Sequence, residues 1–219
     1  MKSELFGQHF QENQTTDRFV LQSKKMLRAH LDGDDRIIAS AGSMVAYQGN
    51  VKFGHKGSGS IGNFLKKQIS GEDAPLMTVD GMGDVFFARE SKEIFTIMLE
   101  GESITVNSHS LLAFDANLKY DIKMTKSMAG SMAGGLFNIE ISGNGYVAIV
   151  SHGQPLLLDC SQQQTFVDPQ AALCWSSHLH PTFKNDMNLG ALFGRGSGES
   201  YQMAFSGQGF VIIQPSELG

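Results

Sequence analysis

Apolar and polar positions alternate in short runs along most of this chain, and glycine-bearing segments interrupt the runs. Phe137-Asn138-Ile139-Glu140-Ile141 and Tyr201-Gln202-Met203-Ala204-Phe205 turn every second side chain to an apolar face, the period of a half-buried strand. The same reading predicts strands around Phe19-Val20-Leu21, Leu76-Met77-Thr78-Val79, Val85-Phe86-Phe87-Ala88, Phe95-Thr96-Ile97-Met98-Leu99, Tyr146-Val147-Ala148-Ile149-Val150 and Phe210-Val211-Ile212-Ile213. Asp32-Gly33-Asp34-Asp35 and Glu100-Gly101-Glu102 carry turn chemistry and are expected to join strands. Asn63-Phe64-Leu65-Lys66-Lys67-Gln68-Ile69 is expected to form one or two helical turns, with Asn63 as N-cap.

The runs recur. Ser43-Met44-Val45-Ala46-Tyr47, Ser110-Leu111-Leu112-Ala113-Phe114 and Ala171-Ala172-Leu173-Cys174-Trp175 have one design. Each is followed by a Gly-x-Gly ahead of an apolar strand: Gly81-Met82-Gly83, Gly143-Asn144-Gly145 and Gly207-Gln208-Gly209. Further glycines precede these at Gly71, Gly134 and Gly198. Order and distance kept three times predict an internal repeat of β units. Each unit is expected to hold about five short strands. The Gly-x-Gly is read as a tight turn between two of them, where φ must be positive. One such unit is marginal by itself, and three side by side bury their inner faces together. The chain is therefore read as a single all-β domain, 1–219, with an arm (1–25) and repeats at about 26–90, 91–150 and 151–216.

Glycine supports this class. It makes up 25 of 219 residues, above a usual share of about 7%, and it weakens helices. The net charge of −5 argues against a nucleic-acid-binding face, so no DNA partner is expected. Cys160 and Cys174 have no metal-ligand spacing and read as reduced thiols of a cytoplasmic protein. The polar start reads as neither signal nor transit peptide, and no apolar run reaches the ~18 residues of a membrane span.

Three stretches carry a family resemblance. They are residues 42–51, residues 135–147 and the close Phe205-Ser206-Gly207-Gln208-Gly209-Phe210-Val211-Ile212-Ile213-Gln214-Pro215. Together they resemble the family named after altered inheritance of mitochondria, also called the mitochondrial biogenesis family, over roughly residues 19–216. The resemblance implies three TRAP-like units per subunit, a short double-stranded β-helix design similar to the tryptophan RNA-binding attenuation protein. It also implies assembly as a homotrimer with nine units in a ring. It supplies no catalytic residue. The fungal relative is an inner-membrane protein of mitochondria, a location that does not transfer to a chain read without a presequence.

Candidate chemistry is sparse. Gly57-Ser58-Gly59-Ser60-Ile61-Gly62 matches a dinucleotide-binding pattern, with Asp80 near the expected acidic position. A β context favours a plain loop. His178 and His180 form an H-x-H pair, which on one strand would share a face and a metal. No glutamate follows, so structural histidines are favoured and neither metal nor cofactor is expected. Met124, Met128 and Met132 recur among small residues and mark a loop for contact with a partner, including a membrane-associated one. Tyr47, Phe114 and Trp175 could stack bases, but their shared slot predicts core. No nucleophile elbow is present.

The reading is thus a non-enzymatic scaffold or binding protein that assembles with itself. One alternative is a ring that binds a ligand or RNA. RNA would want a repeated basic rim, which Lys52 and Lys119 begin and His180 breaks. The other alternative is a cupin-like metalloenzyme using His178 and His180.

Overall fold

The computed structural model describes residues 2–7, 10–13, 15–55, 76–124, 137–185 and 201–216. Apart from a single 3-10 turn at Glu4–Phe6, capped by the Ser3 hydroxyl, the described elements are strands. They begin with β1 (Phe19–Ser23), β2 (Met26–Ser40), β3 (Met44–His55) and β4 (Leu76–Phe87). Next come β5 (Glu93–Asn107), β6 (Leu111–Asp115), β7 (Lys119–Met124) and β8 (Phe137–Ser151). The last are β9 (Leu156–Asp159), β10 (Thr165–Val167), β11 (Ala172–Ser176), β12 (Thr182–Asn185), β13 (Tyr201–Phe205) and β14 (Phe210–Ile213).

All described pairings are antiparallel. One sheet runs β3-β4-β2-β6-β8-β5-β11-β14-β9, with β1 added to β2 and β7 to β8. A second runs β10-β13-β12. Two seams knit successive parts of the chain. β6 pairs with β2 (Phe114 opposite Ile38), and β11 pairs with β5 (Trp175 opposite Thr105).

The expected turns are not turns. Asp32-Gly33-Asp34-Asp35 lies inside the continuous β2, and Glu100-Gly101-Glu102 lies inside β5. Gly81-Met82-Gly83 and Gly143-Asn144-Gly145 likewise fall within β4 and β8. The two kinds of glycine face each other: Asp32 pairs with Met82 and Glu100 with Asn144, with a register shift at each place. Both strands of each pair therefore kink together, which a bulge with positive-φ glycines permits. Gly33 and Gly101 both have φ of 108°. Gly81 and Gly83 have φ of 121° and 141°, and Gly143 and Gly145 have 122° and 154°. Only at Gly207 and Gly209 does the chain separate two strands, β13 and β14. The five short strands expected per unit are thus fewer and longer in the first two thirds of the chain.

Residues four beyond the first Gly-x-Gly glycine meet the aromatic slot in all three places. Val85 pairs with Tyr47, Val147 with Phe114 and Val211 with Trp175. A register shift lies just before that slot each time, at Met44/Ala46, Leu111/Ala113 and Ala172/Cys174. Three buried clusters follow the chain. The first gathers Leu27, Leu31, Ile37, Val79, Val85 and Phe87. The second centres on Phe114 and takes Ile38 from β2 as well as Leu173, Cys174 and Ile212 from beyond β8. The third holds Trp175, Phe205, Val211 and Cys160. The expectation that all three slot aromatics are core fails at Tyr47, which is 50% exposed, while Phe114 is fully buried and Trp175 nearly so. The reason is a missing neighbour: among the described residues no strand pairs with the outer side of the Tyr47 part of β3, which ends the sheet.

Candidate functional site

Each seam opens into a groove beside the kinks. The first groove, about 790 Å³, lies between the β2 kink and the residues after β6. Asp34, Asp35, Asp80 and Asp115 line it together with Arg36 and with Arg18 from the arm. The Arg18 Nε donates to Asp115 Oδ1 at 2.9 Å and its Nη1 meets Asp35 Oδ2 at 2.8 Å. Its remaining guanidinium hydrogens reach the carbonyls of His30 (2.6 Å) and Arg36 (3.1 Å). A planar fork suits such a set of acceptors better than an ammonium would. Burial raises the Asp35 carboxyl above its usual range; the Arg18 charge works against this, while Asp32 and Asp115 add to it. Asp115 also accepts from Tyr146 N–H through Oδ2 at 2.8 Å.

The second groove, about 690 Å³, lies between the β5 kink and the residues after β11. Ile97, Met98, Ile104 and Phe210 give it an apolar base, and Glu100, Glu102 and Glu140 line it together with Lys123. Lys123 pairs with Glu140. The Glu102 carboxylate accepts from Glu100 N–H at 2.6 Å, and that bond holds it below the usual carboxylate range. Ser176 stands where Asp115 stands in the first groove, and its hydroxyl accepts from Phe210 N–H at 3.2 Å. Among the described residues, none of the arm lines this second groove.

His178 and His180 both line the second groove, so the structure does bring the pair together. They are not on a strand, as the shared-metal reading required. They lie between β11 and β12, His178 in a turn and His180 just past it, and are exposed, with buried Leu179 between them. His178 Nε2 is in hydrogen-bond contact with the Gln208 carbonyl. Among the described residues no group of three His, Cys, Asp or Glu is placed to hold a metal ion. Cys160 and Cys174 are free, buried and in separate clusters, and burial pushes the Cys174 thiol far up. Asp80 belongs to the first groove, facing Arg36 at 3.7 Å. The dinucleotide-like run 57–62, the helical turns at 63–69, Gly71, Gly134 and Gly198 lie outside the described residues. Met124 ends β7; its side chain, Met128 and Met132 are also outside them. No helix among the described residues is long and apolar enough to cross a membrane.

Sequence reading missed Arg18, Asp35 and Asp115. Asp115 had a signal, since it directly follows the slot aromatic Phe114, but Arg18 had none. Both grooves present carboxylate acceptors for a cation, and the second sets them beside an apolar base.

Residues 19–216 match the family described as mitochondrial biogenesis AIM24. No functionally curated protein matches the chain. The crystal structure of a protein from Streptococcus pyogenes is similar at a TM-score of 0.72 and 21% identity, covering 90% of this chain and 92% of that one. At that identity the likeness concerns the fold. The kinked antiparallel strands, the recurrent glycines and the match over nearly the whole length agree: the chain belongs to the mitochondrial biogenesis AIM24 family.

Proposed function

We propose that this protein is a non-enzymatic scaffold whose three TRAP-like β units join those of two further copies in a closed homotrimeric ring. The observation that carries the proposal is a pair of complementary free edges. Inside the chain, Ile37-Ile38-Ala39 meets Asp115-Phe114-Ala113, and Ile104-Thr105-Val106 meets Ser176-Trp175-Cys174. Counting from the Gly-x-Gly, Thr165-Phe166-Val167 of β10 corresponds to those first partners: Phe205 lies two before Gly207 and pairs with Thr165, as Val79 pairs with Ile37 and Ile141 with Ile104. β10 is an edge strand, and Phe166 is 43% exposed. The β3 segment at Tyr47 is the other free edge. The third seam would set Phe166 of one copy opposite Tyr47 of the next. An exposed strand edge is a template for another chain, and a head-to-tail contact generates a ring when its rotation closes.

Light scattering of the purified protein at micromolar concentration tests this. The expected species has three times the chain mass. Phe166→Lys is expected to reduce it to the chain mass while circular dichroism keeps its β signature. A wild-type monomer would refute the proposal.

A further inference from the structure

We infer that the outer edge of β5, together with the second groove, is a docking site for an extended peptide segment of a partner protein, carrying an arginine ahead of alternating apolar residues. The reasoning does not depend on ring closure, because this edge is neither of the two that the ring would use.

The arm displays the mode of binding on the neighbouring strand. β1 adds to the first part of β2, with Phe19 opposite Ala29 and Leu21 opposite Leu27. His30 N–H donates outward to the Arg18 carbonyl at 2.9 Å. Arg18 then drops into the first groove. β5 repeats β2 in this stretch: Leu99 pairs with Gly145 as Leu31 pairs with Gly83, so Met98 corresponds to His30 and Ile97 to Ala29. The inner side of β5 pairs with β8 here. At Ile94 the outward N–H donates to the Lys24 carbonyl at 2.7 Å; from Phe95 to Glu100, among the described residues, no strand pairs with the outer side, and Met98 stands 48% exposed there.

The acceptors of Arg18 have counterparts too. The Arg36 carbonyl takes both Ala116 N–H and the Arg18 guanidinium. The Ser103 carbonyl takes Ser177 N–H at 3.1 Å and keeps a lone pair toward the groove. Glu102 stands at the kink where Asp35 stands, ionised and held in place by Glu100 N–H. The Met98 carbonyl matches that of His30. With Glu140 paired to Lys123, Glu100 and Glu102 leave the groove acidic, which fits a guanidinium and disfavours an acidic segment. Strand addition supplies main-chain affinity, and the charge fixes the register.

A fluorescently labelled peptide of residues 17–25 reproduces the required pattern and is the probe. Titrated with the full-length protein, it is expected to bind saturably, one per chain. Met98→Pro removes the outward N–H and is expected to weaken binding about tenfold, a worth of one such hydrogen bond. Glu102→Lys is expected to weaken it likewise, as is glutamate in place of the arginine in the peptide. Absence of binding, or binding that survives both protein substitutions, overturns the inference; the second result would place the peptide on another edge or in exchange with the chain's own arm. Should Met98→Pro fail to fold by circular dichroism, Glu102→Lys decides alone.

Discussion

Phe114 and Tyr47 hold corresponding places, each opposite a valine that lies four residues beyond a matching glycine, yet Phe114 is fully buried and Tyr47 is half exposed. Their immediate surroundings are alike. Phe114 meets Tyr120 edge-on at 5.3 Å, and Tyr47 meets Phe53 in the same way at 5.4 Å. What differs is the strand on the far side. β2 lies against β6 and closes Phe114 into the second cluster, whereas β3 ends its sheet. Burial here is decided by which strand arrives next.

Mutation separates the two places most strongly. Phe114→Ala is expected to cost about 3–5 kcal/mol in urea unfolding, the usual range for removing a buried aromatic ring. Tyr47→Ala is expected to cost about 1 kcal/mol or less in dilute protein and to act instead on self-association. Equal losses at both sites in dilute protein would break the comparison.

The kinks sharpen it. A Cβ on Gly83 would collide with the Gln48 carbonyl oxygen, a backbone atom, whereas the nearest atom to one on Gly143 is the side-chain Leu118 Cδ2 at 3.3 Å. Both have positive φ. Gly143→Ala should therefore cost about 1–3 kcal/mol of backbone strain, and Gly83→Ala more, because β3 must also move. Thermal unfolding of the two variants side by side reads the difference.

The seams give the smallest contrast. Asp115→Ala leaves the Arg18 Nε–H and the Tyr146 N–H without their acceptors, and is expected to cost about 1–3 kcal/mol. Ser176→Ala removes one acceptor, that of Phe210 N–H, and is expected to cost about 1 kcal/mol. Urea unfolding that ranks Ser176→Ala above Asp115→Ala would contradict the role given to Arg18.

Much of this architecture could be read along the chain. The glycines recur because the kinks demand positive φ, and the alternation in residues 137–141 and 201–205 follows from strands buried on one face. What escaped reading has a common cause, pairing over distance. An Asp-Gly in a hairpin turn and one in a kinked strand have the same composition; only the partner, Met82 opposite Asp32, tells them apart. Likewise Tyr47 looks like Phe114 until the strand across from each is known. The first groove is built by Arg18 and Asp115, 97 residues apart, with no motif joining them. For His178 and His180 the spacing was legible, but their place between β11 and β12 was not.

A double variant bearing Tyr47→Cys and Phe166→Cys, treated with a short bismaleimide, probes the third seam directly. Head-to-tail closure by β3 and β10 yields a covalent ladder that stops at three chains, while either single variant stays uncrosslinked. No ladder, or crosslinking in a single variant, would show that these two edges do not meet.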